Sequence, residues 1–147
     1  MYPIDVTKVA AALGGQAVIG AAPATVVELA AAVARGLPRA VIGQLVANAT
    51  PDDPKFRKRV AALVASPATL KRGARLSPAA SERAERLARV TALAHQAIGD
   101  AGTAQRWLND PHPLLGNGSP IEIAATDLGA RQVERLLHNI EYDLHRI

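Results

Sequence analysis

The chain has no cysteine, and its 147 residues include a single tryptophan, a single phenylalanine and two tyrosines. Without thiols there are no disulfide staples and no thiolate metal sites, which fits a reducing compartment. With aromatics at 3%, a core of interleaved bulky rings is excluded as well. Long hydrophobic runs are also missing. The longest Ala-rich stretch, residues 21–34, is broken by Pro23, Thr25 and Glu28, short of the roughly 20 apolar residues that span a bilayer. The first residues include Asp5 and Lys8 rather than a basic segment leading into an apolar one, so no targeting signal is expected and the cytoplasm is the expected location.

What is abundant is small and aliphatic. Hydrophobic residues make up 49% of the chain, with Ala, Leu and Val foremost, which suits closely approaching helices in a core of modest apolar area per residue. Such a core gains from self-association or a partner, and a homodimer is expected. Charge is divided unevenly. Residues 1–76 hold ten Lys or Arg against four Asp or Glu, net +6, whereas residues 77–147 hold seven against nine, net −2. A polyanion is drawn to the first region, leaving the second for protein.

The expected fold class is all-α. Val6, Val9, Ala10 and Leu13 mark a first helix ended by Gly14-Gly15, and Thr25 opens a second that stops at Arg35-Gly36. Pro38 precedes a third through residues 41–46, where β-branched residues also fit a strand. After the breaker cluster at residues 48–54, a fourth helix turns Phe56, Val60, Leu63 and Val64 inward. Ser66-Pro67 starts a very short helix ending at Gly73, and this pair resembles a helix-turn-helix. Ser77-Pro78 caps the longest helix, residues 79–98, with Glu82, Glu85, Arg86 and Arg89 expected on exposed turns. Gly99-Asp100 leads to a helix over 101–108, then to a Pro-rich loop carrying Leu114 and Leu115. A helical turn at 121–125 precedes the last helix, whose Val133, Leu136, Leu137, Ile140, Leu144 and Ile147 form an apolar stripe.

From Leu76 onward the sequence resembles the C-terminal toxin-binding domain of the Xre/MbcA/ParS antitoxins. The resemblance is carried by Arg75-Leu76-Ser77-Pro78, Ser81-Glu82-Arg83, Leu87-Ala88-Arg89, Ala104 to Leu108, Pro111 with Leu114-Leu115-Gly116, Ser119-Pro120, Leu128-Gly129-Ala130 and Val133 to Leu137. Residues 25–75 look more loosely like the Xre-like helix-turn-helix part of longer members. The resemblance implies an N-terminal region, 1–76, for DNA binding and dimerisation, and a toxin-binding domain, 77–147. It further implies a RES-domain toxin that consumes NAD, whose NAD pocket the antitoxin covers, and repression of the shared operon. Two positions depart from the family pattern. Gly116-Asn117-Gly118 stands where Gly-Gly is usual, and Asp143 follows Ile140-Glu141-Tyr142 where Gly is frequent.

The candidate DNA-binding residues are Arg39, Lys55, Arg57, Lys58, Arg59, Thr69, Lys71, Arg72 and Arg75; the competing reading is a solvated cationic face. The toxin-facing candidates are Trp107, Leu114, Leu115, Asn117, Arg131, Arg135, His138, Tyr142, His145, Arg146 and Ile147 with its carboxylate. Trp107 also fits beneath the Leu114-Leu115 loop, its indole N–H bonded to a carbonyl. Catalysis, cofactor and metal are not expected. His95, His112, His138 and His145 fall in no metal motif, Ser66, Ser77 and Ser119 precede prolines, and the Gly116–Ser119 loop lacks phosphate-loop spacing. Two other readings stay open: a stand-alone helical DNA-binding regulator, and a helical oligomer that binds no DNA.

Overall fold

A computed structural model describes residues 1–70 and 73–144. Within them are ten α-helices and no strand, in agreement with the all-α expectation. They are α1 (Val6–Ala12), α2 (Gln16–Ile19), α3 (Val26–Arg35), α4 (Val41–Ala49), α5 (Pro54–Val64), α6 (Pro67–Leu70), α7 (Pro78–Ile98), α8 (Ala101–Asn109), α9 (Pro120–Ile123) and α10 (Asp127–Leu144), with a 3-10 turn at Pro113–Leu115.

Local chemistry sets most of these boundaries. Thr25 and Glu28 form a reciprocal capping box at the start of α3. Asp53 caps α5 and Ser77 caps α7, each with a proline at the first helical position. Asp100 caps α8 by accepting from the Thr103 amide at 2.8 Å. The β-branched residues after Pro38 lie in α4 rather than a strand, because Val41, Ile42, Leu45 and Val46 all reach the core at helical spacing. One element went unforeseen. The four-residue helix α2 sits between Gly15 and Gly20, both at positive φ, and is too short to show a period.

The helix α7 is the axis of the molecule, packing against α1, α3, α4, α5, α8, α9 and α10. Its Leu87, Val90 and Leu93 are fully enclosed, and one apolar core runs from Ile4 to Leu137. The expected division at residue 76 is therefore not a gap in the core. A short antiparallel bridge between Pro38 and Arg75 joins the α3–α4 turn to the entry of α7. At that crossing Gly36 has φ +92°, and a side chain there would place its Cβ 2.4 Å from the Leu76 carbonyl oxygen. The buried Leu37 amide donates to Ser81 Oγ at 2.8 Å, fixing the same turn onto α7.

Two side chains expected on exposed turns of α7 are instead largely buried. Glu85 and Arg89 are 17% and 14% exposed, because the N-terminal residues and α10 close over them. Tyr2 donates its hydroxyl proton to Glu85 at 2.8 Å, and Arg89 approaches Glu85 at 3.2 Å and Glu134 of α10 at 2.6 Å. Burial, the largest influence, holds the Glu85 carboxyl above the usual carboxylate range, against the opposing pull of Arg89, Tyr2 and Arg86.

Candidate partner-binding surfaces

The last helix is two-sided. Ala130, Val133 and Leu137 are buried against the body, and Leu136 and Ile140 pack beside them. The apolar stripe read from the sequence is thus largely consumed by the protein's own core and is not free to lie across another macromolecule. Only toward the end of the described helix does it emerge, with Leu144 57% exposed. Three polar contacts hold α10 and its lead-in to α7: the Glu134–Arg89 ion pair, Gln96 donating to Glu141 at 3.1 Å, and Arg86 donating to the Ala125 carbonyl at 2.8 Å.

The opposite side faces solvent. Leu128, Arg131, Arg135, His138 and Tyr142, spaced three and four residues apart, are all exposed and share one face. Leu128 is 80% exposed and Tyr142 66%. The sequence reading found four of these five and missed Leu128, which resembles a core residue until the phase of the buried face is known. Arg131 pairs with Asp127 at 3.1 Å, but both are well exposed and the pair adds little stability. His145, Arg146 and Ile147 lie outside the described residues.

The loop before α9 is built to display one side chain. His112 accepts the Leu114 amide on Nδ1 at 3.1 Å, and its own amide donates to the Gly118 carbonyl at 3.1 Å, closing the loop. Gly116 and Asn117 both sit at φ +63°, so the turn that Gly-Gly would make survives with Asn in its second position. The two leucines separate. Leu115 is 8% exposed and anchors the loop in the core, whereas Leu114 is 70% exposed. Of the pair, only Leu114 is presented to solvent. Trp107 is half-buried and packs against the core, its ring edge-on to His112 at 5.8 Å. No carbonyl of the described residues accepts its indole N–H, contrary to the sequence expectation.

Comparison with known proteins bears on this region. Residues 92–142 match the family described as the antitoxin Xre/MbcA/ParS C-terminal toxin-binding domain. That segment is therefore similar to a toxin-binding domain of the Xre/MbcA/ParS type. The chain is also similar to an "Antitoxin Xre" of Pseudomonas putida, 38% identical over 60 residues, a span covering 41% of this chain and 38% of that relative. The domain match includes the C-terminal part of α7, α8, the loop, α9 and nearly all of the described α10. The motifs at residues 75–89 fall outside it.

Upstream of the matched segment, the cationic residues do not form one surface of equivalent groups. Arg39 donates to the Leu70 carbonyl and Arg75 to the Gly36 carbonyl at 2.8 Å, so both brace the Pro38–Arg75 bridge. Thr69 is engaged by Ser66, hydroxyl to hydroxyl at 2.8 Å. Lys71 and Arg72 lie outside the described residues. The remaining four, Lys55, Arg57, Lys58 and Arg59, crowd the first turns of α5 and are exposed. Arg57 pairs with Asp52 at 2.7 Å, while Arg59 lies over the Phe56 ring at 4.9 Å. Arg59 also comes within 3.9 Å of Glu122 in α9, so the basic end of α5 adjoins the segment matched at residues 92–142.

In the cationic region, α4 and α5, joined by residues 50–53, pack against each other more than α5 and α6, the pair the sequence suggested. Among the described residues, no group of three or more His, Asp or Glu is placed to hold a metal ion. No described helix is long and apolar enough to cross a membrane.

Proposed function

We propose that the chain is an antitoxin that neutralises a RES-family, NAD-consuming toxin by covering its NAD pocket, and that it also binds operator DNA to repress its own operon. It acts by binding, not by catalysis. The observation that carries the first part is the exposed row Leu128, Arg131, Arg135, His138 and Tyr142 on a helix otherwise clamped to the body, with Leu114 displayed by the preceding loop. Apolar and aromatic anchors beside arginines suit a protein interface, where guanidinium groups make paired hydrogen bonds to carboxylates on the partner. His145, Arg146 and Ile147, which follow α10 in the sequence, belong to the same proposed set of toxin contacts.

The DNA-binding part is supported by α4 and α5. A four-residue connection between packed helices, with Lys55, Arg57, Lys58 and Arg59 in the first turns of the second, matches the way helix-turn-helix proteins present a recognition helix. Residues 1–76 would supply this role and the homodimer contacts, and residues 77–147 the toxin contacts, within a larger complex in the cytoplasm.

The deciding experiment is co-expression with the product of the adjacent gene, followed by an NAD-consumption assay on the purified complex. Suppressed NAD loss is expected, with activity restored by Leu114→Asp together with Arg135→Glu. Undiminished NAD consumption in a verified stable complex would refute the pocket-covering mechanism.

A further inference from the structure

Two arginines of α5 have partners within the protein, Arg57 in Asp52 and Arg59 in Phe56 and Glu122. The end of α3 differs. Arg35 is exposed and makes no hydrogen bond, ion pair or ring contact with any described residue. It lines a pocket of about 160 Å³ whose other walls include Gly20 and Ala21 after α2, and the turn from Gly36 to Pro38. Arg75, also exposed, is the second cation in the lining. Its Nη1 donates to the Gly36 carbonyl at 2.8 Å, and its remaining donors have no partner among the described residues. The backbone between the two arginines is tied together, since the Arg39 amide donates to the Ala74 carbonyl at 2.9 Å and the Leu76 amide to the Leu37 carbonyl at 2.8 Å. No Asp or Glu among the described residues lines the pocket. The one carboxylate of α3, Glu28, shares a separate recess with Arg35 and is engaged by the Ala24 and Thr25 amides at the start of the helix.

At about 160 Å³ the pocket falls below the roughly 300 Å³ at which sites for drug-sized ligands begin, so its occupant is a small ion or the charged end of a molecule. We propose that it takes the dianionic phosphate group of a small phosphomonoester, with Arg35 and Arg75 as the two cationic partners. Guanidinium forks match phosphate oxygens in pairs. Two positive charges with no acid beside them in the lining balance a dianion better than they balance the single charge of a carboxylate or a phosphodiester. The assignment depends on neither the toxin role of α10 nor the DNA role of α5.

The test is an NMR titration of the full-length protein with methyl phosphate, dimethyl phosphate and acetate, following the Ala21 and Leu37 amides. It is run at about pH 8, where a monoester with a second pKa of about 6 is doubly charged. Saturable shifts are expected with methyl phosphate, and affinity about tenfold weaker for the two singly charged probes. Arg35→Gln should weaken methyl phosphate by about tenfold and leave the fold intact, because Arg35 holds no other described group in place. Arg35→Lys, which keeps the charge but not the fork, should fall between the two. Arg106→Gln, an equal loss of charge outside the pocket, should change nothing. Absence of saturable shifts, equal affinity for methyl and dimethyl phosphate, or indifference to Arg35→Gln would each overturn the proposal. So would shifts of the same amides with duplex DNA but not with methyl phosphate, which would make the pocket a contact to the DNA backbone.

Discussion

Asn117 shows how much one residue's backbone can determine. At φ +63° it occupies a conformation that costs most L-residues about 1–2 kcal/mol, and Asn tolerates it better than branched side chains. Asn117→Val should therefore lower unfolding stability by about that amount, while Asn117→Gly should leave it unchanged or slightly higher; urea denaturation of the two variants distinguishes these outcomes. Equal stability for both would mean that the turn relaxes without cost. Glu85 gives a second case. Its carboxyl is held above the ordinary range by burial, so the folded state binds its proton more tightly than the unfolded chain does. The stability this contributes is complete below the unfolded pKa and is lost as pH rises through the folded one. Glu85→Gln, which can still accept from Tyr2, should gain in Tm relative to the parent between about pH 4 and about pH 8. A Gln variant that instead lost Tm relative to the parent as pH rises would show that the Arg89 ion pair, not burial, governs the site.

At the scale of elements, the start of α10 depends on a missing side chain. A Cβ on Gly129 would lie 1.8 Å from the Ile123 carbonyl oxygen, so α9 and α10 approach more closely than any other residue permits. Gly129→Ala should cost at least about 1–3 kcal/mol, as overpacking does, and shift the face that carries Leu128 and Arg131. Gly102→Ala in α8 is the matched control: its new methyl would lie 3.5 Å from its nearest neighbours, and the variant should be neutral or gain up to about 1 kcal/mol from helix propensity. Thermal melts of the two, with toxin pull-down for the first, check both expectations.

The limits of the sequence reading have the same origin. Caps at Ser77 and Asp100 were legible because a capping side chain and the amide it satisfies are at most three residues apart. Arg39 and Arg75 were read as DNA contacts because their carbonyl partners, Leu70 and Gly36, are more than thirty residues away in sequence. The burial of Glu85 and Arg89 was hidden for the same reason, since it is created by Tyr2 and Glu134. Periodicity found the α10 faces but could not say which one the protein would keep for itself.

For the whole molecule, the test of the cationic region is ionic strength. If Lys55, Arg57, Lys58 and Arg59 meet phosphates, operator affinity should fall steeply with salt, and Lys55→Gln with Lys58→Gln should reduce the log–log slope by about 0.9 for each phosphate no longer neutralised. A slope unchanged in the double variant would leave these lysines as a solvated face and favour a helical assembly without DNA.

The single core around α7 carries a consequence for how such a gene can be rearranged. A recombination that exchanged the amino-terminal helices for a different module would uncover half of the central helix, and the carboxy-terminal binding element would lose the scaffold that holds it. Any successful graft must bring helices shaped to clothe that same flank, so the two ends of this protein are bound to change together.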